Sequence, residues 1–195
     1  SVVLHLANVS GEAKPVAFDL KGGNGLKLYK VTSLHLRKCF GETIRIGGPG
    51  MCGWSSWKDD FIPFCAKENL PLDFYSYHCY FSDPKAISRA ADGARKLLDD
   101  NGFTKAETHL NEWNYVFEWG EGWIYSLECE SGRYNQKGAA AIAAAMCVGQ
   151  DSPVDMLMYY DARVGTSMNG LFERATLLPM RGYYPFLAWS RLVEL

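Results

Sequence analysis

The chain lacks several signatures that would each fix a class of function. Its six cysteines form no C-x-x-C pair and meet no histidine pair at zinc spacing, so neither a metal site nor a cofactor is expected. The stretch "IGGPGMCGW" fits neither G-x-G-x-x-G nor G-x-x-x-x-G-K-[ST], which removes the phosphate-cradling reading. With 20 Lys and Arg against 22 Asp and Glu there is no basic field for a polyanion and no polybasic stretch for anionic lipid, so no nucleic-acid or membrane partner is expected. The longest small-apolar run, Gly138 to Val148, is far short of the roughly 20 residues that span a bilayer. No basic start and cleavage site opens the sequence, and nothing resembles a secreted disulfide framework, so a cytoplasmic, reducing location is expected.

What is present is the composition of one folded domain: 195 residues, 48% hydrophobic and 14% aromatic. From residue 27 onward helical patterns alternate with short apolar strands. Lys27 to Phe40 places Leu28, Val31, Leu34 and Leu36 near helical spacing, and Gly41 stops it. "TIRIGG" (Thr43 to Gly48) predicts a buried strand, Phe61 to Glu68 a helix, and "PLDFYSYHCY" (Pro71 to Tyr80) a strand rich in β-favouring aromatics. Asp83-Pro84 opens a helix that closes at Asn101-Gly102. "AETHLNEW" (Ala106 to Trp113) is the next strand. An alanine-rich helix ending near Gly149, a strand at Pro153 to Ala162 and an amphipathic helix at Gly182 to Leu195 complete four strand-helix units.

This alternation predicts an α/β fold with a parallel sheet covered by helices. In such folds the active face lies at the carboxyl ends of the strands. Four chemically rich stretches fall there: "GGPGMCGW", "YHCY", "NEWN" and "YYDAR". Glu112 ends an apolar strand between Asn111 and Asn114, amides suited to sugar hydroxyls, and beside Trp113, a flat face for the C-H surface of a sugar ring. The bland alternative is a helix cap or a partner for an arginine. His78 and Tyr80 share one side of their strand at period two, and a core histidine is the competing reading. Asp161, after Tyr160, is either a substrate contact or a partner of Arg163. Trp54 is placed to lean over the mouth, and the long loop Val116 to Tyr134 offers Trp119, Trp123 and Tyr125 as stacking surface. His78 and Cys79 are adjacent on a strand and so face opposite ways, which argues against a Cys-His nucleophile pair.

Taken in order, "RIGGPG", "LDFYSYHCY", "LNEWNY" and "MLMYYDAR" with "NGLFERATLLPMRGYYPFLAW" resemble the fifth to eighth strand ends of clan A retaining glycoside hydrolases, most of all family 39, the β-xylosidase and α-iduronidase group. The resemblance runs from about Leu26 to Leu195. It implies a partial (β/α)8 barrel made of roughly the last four strand-helix units plus a preceding helix, in one domain of residues 1–195, with 1–26 as an N-terminal segment whose match the resemblance leaves open. It implies Glu112 as nucleophile, His78 and Tyr80 as substrate contacts on strand six, Asn111, Trp113 and Asn114 beside the nucleophile, and Tyr160 and Asp161 at the strand-eight edge, with a carbohydrate, a β-glycoside or oligosaccharide, as substrate. The family's acid/base glutamate sits in an Asn-Glu or Asn-Glu-Pro motif after strand four. Residues 1–26 do not supply it, since Glu12 in "SGEAKP" reads as a turn. Retaining hydrolysis needs two carboxyl groups about 5–5.5 Å apart. The expectation is therefore a fragment, active through Glu112 or reduced to carbohydrate binding, with uncovered strand edges that favour self-association.

Overall fold

In the computed structural model of the chain, residues 25–52, 57–116, 135–164 and 170–192 are described. Four strands, β1 (Gly47–Met51), β2 (Phe74–Phe81), β3 (Glu107–Tyr115) and β4 (Met156–Tyr159), form one sheet in the order β1-β2-β3-β4. The helices are α1 (Gly25–Phe40) before β1, then α2 (Trp57–Lys67), α3 (Ala86–Asp100) and α4 (Gln136–Gln150) in the three crossovers, and α5 (Tyr183–Leu192) after β4. Each strand lies beside its successor in sequence, so the winding never reverses. That is how a (β/α)8 barrel is wound, and it differs from an open sheet with a switch point.

The described residues group into two compact units. One holds residues up to Tyr77 with Ala94–His109, and the other holds His78–Gly93 with residues from Leu110 onward.

In the first unit, α1 buries Tyr29, Thr32, Ser33 and Leu36, a set spaced i, i+3, i+4, i+7. Leu28, Val31, Leu34 and Leu36 were the expected apolar face, yet Val31 is 69% and Leu34 44% exposed. The buried face is the neighbouring stripe, on which small hydroxyl residues let α1 approach closely; the Tyr29 ring meets Phe61 of α2 edge-on at 4.8 Å, and its hydroxyl donates to the Pro71 carbonyl at 2.7 Å. Arg37 and Lys38 sit in the last turn of α1, where the helix dipole favours cations, and Gly41 follows at φ +56 to end the helix.

The strand expected at Thr43 to Gly48 is shifted: Gly41–Thr43 is a short 3-10 turn and β1 begins at Gly47. Ile46 is already clamped by Asp73, whose amide donates to the Ile46 carbonyl at 2.6 Å and whose Oδ2 accepts from the Ile46 amide at 2.7 Å. The same Oδ2 takes Arg37 Nη2 at 2.5 Å. Gly47 is required by close approach rather than by a turn, because a Cβ there would lie 2.1 Å from the Phe74 carbonyl oxygen of the paired strand. Gly50, inside β1, takes φ +70, a left-handed conformation that favours glycine.

In the second unit, Phe81, Ile87, Leu110, Trp113 and Ile142 are core residues exposed by 3% or less. Helix α4 starts on an Asn135 cap, whose side chain accepts from the Lys137 amide at 2.8 Å, and it packs against α5. Among the described residues no helix is long and apolar enough to cross a membrane, and no group of three or more His, Cys, Asp or Glu could hold a metal ion.

Candidate active site

Glu112 lies near the carboxyl end of β3, its side chain 23% exposed. Two residues earlier the strand is fully buried at Leu110, so the carboxylate emerges where an apolar strand reaches the surface. Both of its oxygens are engaged from β2. The Tyr80 hydroxyl donates to Oε1, and His78 Nδ1 stands 3.3 Å from Oε2. The period-two reading that put His78 and Tyr80 on one side of their strand therefore leads both to the same carboxylate. The Tyr80 bond, with the His78 ring beside the other oxygen, fixes the orientation of the carboxylate.

Cys79, between them, takes no part. Burial pushes its thiol up to about 11, against an opposing pull from Arg89, so it carries little thiolate near neutral pH.

Trp113 is placed differently from expectation. It is 1% exposed, with the Phe81 ring stacked at 6.3 Å, Tyr159 edge-on at 5.1 Å and Phe186 tilted at 6.4 Å. No face is left for a sugar ring. The reason is alternation: next to Glu112 on a strand, Trp113 belongs to the opposite side of the sheet, which helices cover.

Asn114 shares the parity of Glu112 but is also 1% exposed, and both ends of its amide are bonded within the protein. Its Nδ2 donates to the Tyr160 carbonyl at 2.7 Å and its Oδ1 accepts from the Tyr115 amide at 2.7 Å. At that burial it is not presented to a substrate hydroxyl. Asn111 alternates with Glu112, and its side-chain oxygen is buried without a hydrogen-bond partner among the described residues.

At the end of β4 the Tyr160 amide donates to the Trp113 carbonyl at 3.1 Å, and the Tyr160 ring is 37% exposed. Asp161 is committed to Arg163: its Oδ2 lies 3.0 Å from the guanidinium Nε, which also brings the guanidinium to 5.9 Å from the centre of the Tyr160 ring. The alternative of an arginine partner is the one the geometry supplies. Trp54, Glu12 and the loop aromatics Trp119, Trp123 and Tyr125 lie outside the described residues.

The first unit carries a cleft of about 500 Å³ lined by Glu42, Arg45, Asp73, Phe103 and Lys105 among others. Most of its charges are paired with protein: Arg45 bonds Glu107 and the Asp73 carbonyl, and Asp73 and Glu42 bind Arg37. This cleft lacks the convergent reactive groups that gather round Glu112. The feature that sequence reading missed is the side-chain link from Asn114 to the Tyr160 backbone. Its one sequence signal is an asparagine two residues past Glu112, on the same strand face.

Comparison with known proteins bears on the fold and on the family likeness. Residues 15–105 match the family model described as Glycosyl hydrolases family 39, a stretch that begins upstream of Leu26 and ends before Glu112. A Beta-xylosidase from Geobacillus stearothermophilus is 44% identical, over 45% of this chain and 21% of its own length. The chain thus spans about a fifth of that curated relative. Among solved structures, a GH39 Beta-xylosidase from Caulobacter crescentus superposes with a TM-score of 0.65 at 17% identity, over 85% of this chain and 36% of that one. A monomeric beta-xylosidase from Caulobacter crescentus CB15 gives 0.67 at 16% identity, over the same shares of 85% and 36%. A glucosidase from Croceicoccus marinus gives 0.60 at 22% identity, over 76% and 32%. At these identities the structures establish the fold, part of a (β/α)8 barrel, and the likeness to family 39 read from the sequence stands.

Proposed function

From a chain that carries part of a barrel like those of the family 39 glycoside hydrolases, we propose that Glu112 is the nucleophile of a retaining glycosidase acting on β-linked xylosides or related glycosides. The observation that carries this reading is the double grip on Glu112, with Tyr80 on one carboxylate oxygen and His78 beside the other. In the first step a Glu112 oxygen attacks the anomeric carbon, the C–O bond to the leaving group breaks, and its electron pair leaves on the departing oxygen. Tyr80 and His78 hold the carboxylate aimed, which places the reacting atoms without further ordering. In the second step water attacks the glycosyl ester and frees Glu112. The choice of sugar rests on the likeness to a Beta-xylosidase.

The leaving oxygen also needs a proton. Asp161, just past the end of β4, is held by Arg163 and is poorly suited to supply it. Aryl glycosides with acidic phenols need little such help, so they are the substrates of choice for this chain alone. The test is an activated 2-deoxy-2-fluoro-β-xyloside. A mass increase on the Glu112 peptide, absent in E112Q, supports a nucleophile. Reversible binding without labelling points instead to a carbohydrate-binding pocket, and neither binding nor labelling sinks both readings. Self-association through uncovered strand edges is proposed as well, and light scattering of a monomer at tens of micromolar would count against it.

A further inference from the structure

We infer that Asn114 is a positioning residue that sets the substrate-binding rim at the end of β4 without touching substrate; this rests on the reading of the Glu112 pocket above. Asn114 is 1% exposed, so it meets no ligand directly. Its Nδ2 donates to the Tyr160 carbonyl at 2.7 Å, and that bond arrives from the strand that carries Glu112, two residues away. The Tyr160 amide returns to the Trp113 carbonyl at 3.1 Å.

Tyr160 is thus held at both its N–H and its C=O by consecutive residues of β3. Strand β4 is only Met156–Tyr159 long, so few ladder bonds fix where it ends. The next two groups, the half-exposed Tyr160 ring and the Asp161 carboxylate paired with Arg163, are the rim. Their distance from Glu112 is set through Asn114, because a buried charge-neutral bond of this kind is costly to leave unmade. The second bond of Asn114, from the Tyr115 amide to Oδ1, fixes which way its amide points.

The test uses the full chain and N114D, which keeps the acceptor for the Tyr115 amide but sets a carboxylate oxygen against the Tyr160 carbonyl. N114S, which also loses the donor at that reach, guards against a fault peculiar to the added charge. Binding is measured as the Kd of a non-hydrolysable thio-β-xyloside by ligand-observed NMR, and chemistry as the labelling rate at saturating fluoroxyloside. The expected result is a Kd raised about ten- to hundredfold, as for a misplaced positioning group, with the saturated labelling rate within about twofold, and faster amide exchange at Tyr160. In the Y160A/D161A background, N114D should add nothing to Kd, since residues that act through one another are not additive. A lowered melt with unchanged Kd, or the same Kd factor in the Y160A/D161A background, overturns the inference. A wild-type chain that binds but is not labelled removes Glu112 as nucleophile and leaves this inference to the Kd series. A chain that binds no xyloside overturns both.

Discussion

Replacing Trp113 with alanine separates a core role from a sugar platform. The indole is 1% exposed and contacts the rings of Phe81, Tyr159 and Phe186. Truncating a buried Trp typically costs about 3–5 kcal/mol through lost transfer energy and the cavity left behind. Aromatic pairs add about 0.5–1.5 kcal/mol each beyond burial, which puts this site toward the upper end. For a chain of this size a loss of that order lowers the melting temperature by about 6–20 °C. One detail sharpens the comparison: the Trp113 Nε1 is buried with no acceptor among the described residues. W113F removes that unsatisfied donor along with part of the ring, so its cost should be about 1–2 kcal/mol, less than lost area alone implies. Urea melts followed by circular dichroism, with thioxyloside Kd measured on the same samples, provide the assay. A W113A protein that melts within about 2 °C of wild type while losing sugar affinity would refute the core assignment and restore the platform.

Three further outcomes follow from the first unit and the thiols. Burial pushes the Glu107 carboxyl up, but hydrogen bonds from His109 at 2.8 Å and from Arg45 outweigh it and leave its pKa below the ordinary value. A depressed carboxylate adds stability above its unfolded pKa of about 4.3 and loses it as pH falls through the folded value. The melting-temperature gap between wild type and E107Q should therefore be widest near neutrality and close in acid; a gap that widens below pH 4 contradicts the assignment. D73A strips the acceptor from both Arg37 and the Ile46 amide and should cost about 2–4 kcal/mol in a urea melt, and a loss under about 0.5 kcal/mol would show the clamp to be idle. Burial pushes Cys65 up to about 12 and Cys79 to about 11, whereas Cys39, Cys52 and Cys147 are exposed. Brief iodoacetamide treatment at pH 7.5 should alkylate the exposed three and spare the other two, as read by peptide mass spectrometry.

The alternation of strands and helices was legible because parallel strands are buried on both faces and read as apolar runs. The Glu112 pocket was legible for a similar reason, since one rule, period two, aligned His78 with Tyr80. The same rule, applied to "NEWN", separates Trp113 from Glu112, yet the chemical appeal of a tryptophan beside a carboxylate outweighed it. On α1 the difficulty was physical. Two adjacent stripes both satisfy helical spacing, and the one that packs contains Thr32 and Ser33, whose small size permits contact that no hydrophobicity scale rewards. The engagement of Asn114 could not be read at all, because its acceptor is a backbone carbonyl 46 residues further along the chain.

Strand β1 is nearly without side chains: Gly47, Gly48, Pro49, Gly50 and Met51. A sequence of this kind offers its neighbour no cross-strand pairs, so nothing on its own faces tells one register from the next. The alignment is pinned from outside instead, by the Asp73 clamp on Ile46 just before it and by the Ser76 hydroxyl, which accepts from the Gly50 amide at 2.9 Å. Between Pro49 and Met51 the pairing slips by a residue, and the Ser76 bond falls on Gly50, the residue at the slip. The strand behaves as a bare cord tied at each end, and its fidelity belongs to two residues that are not part of it.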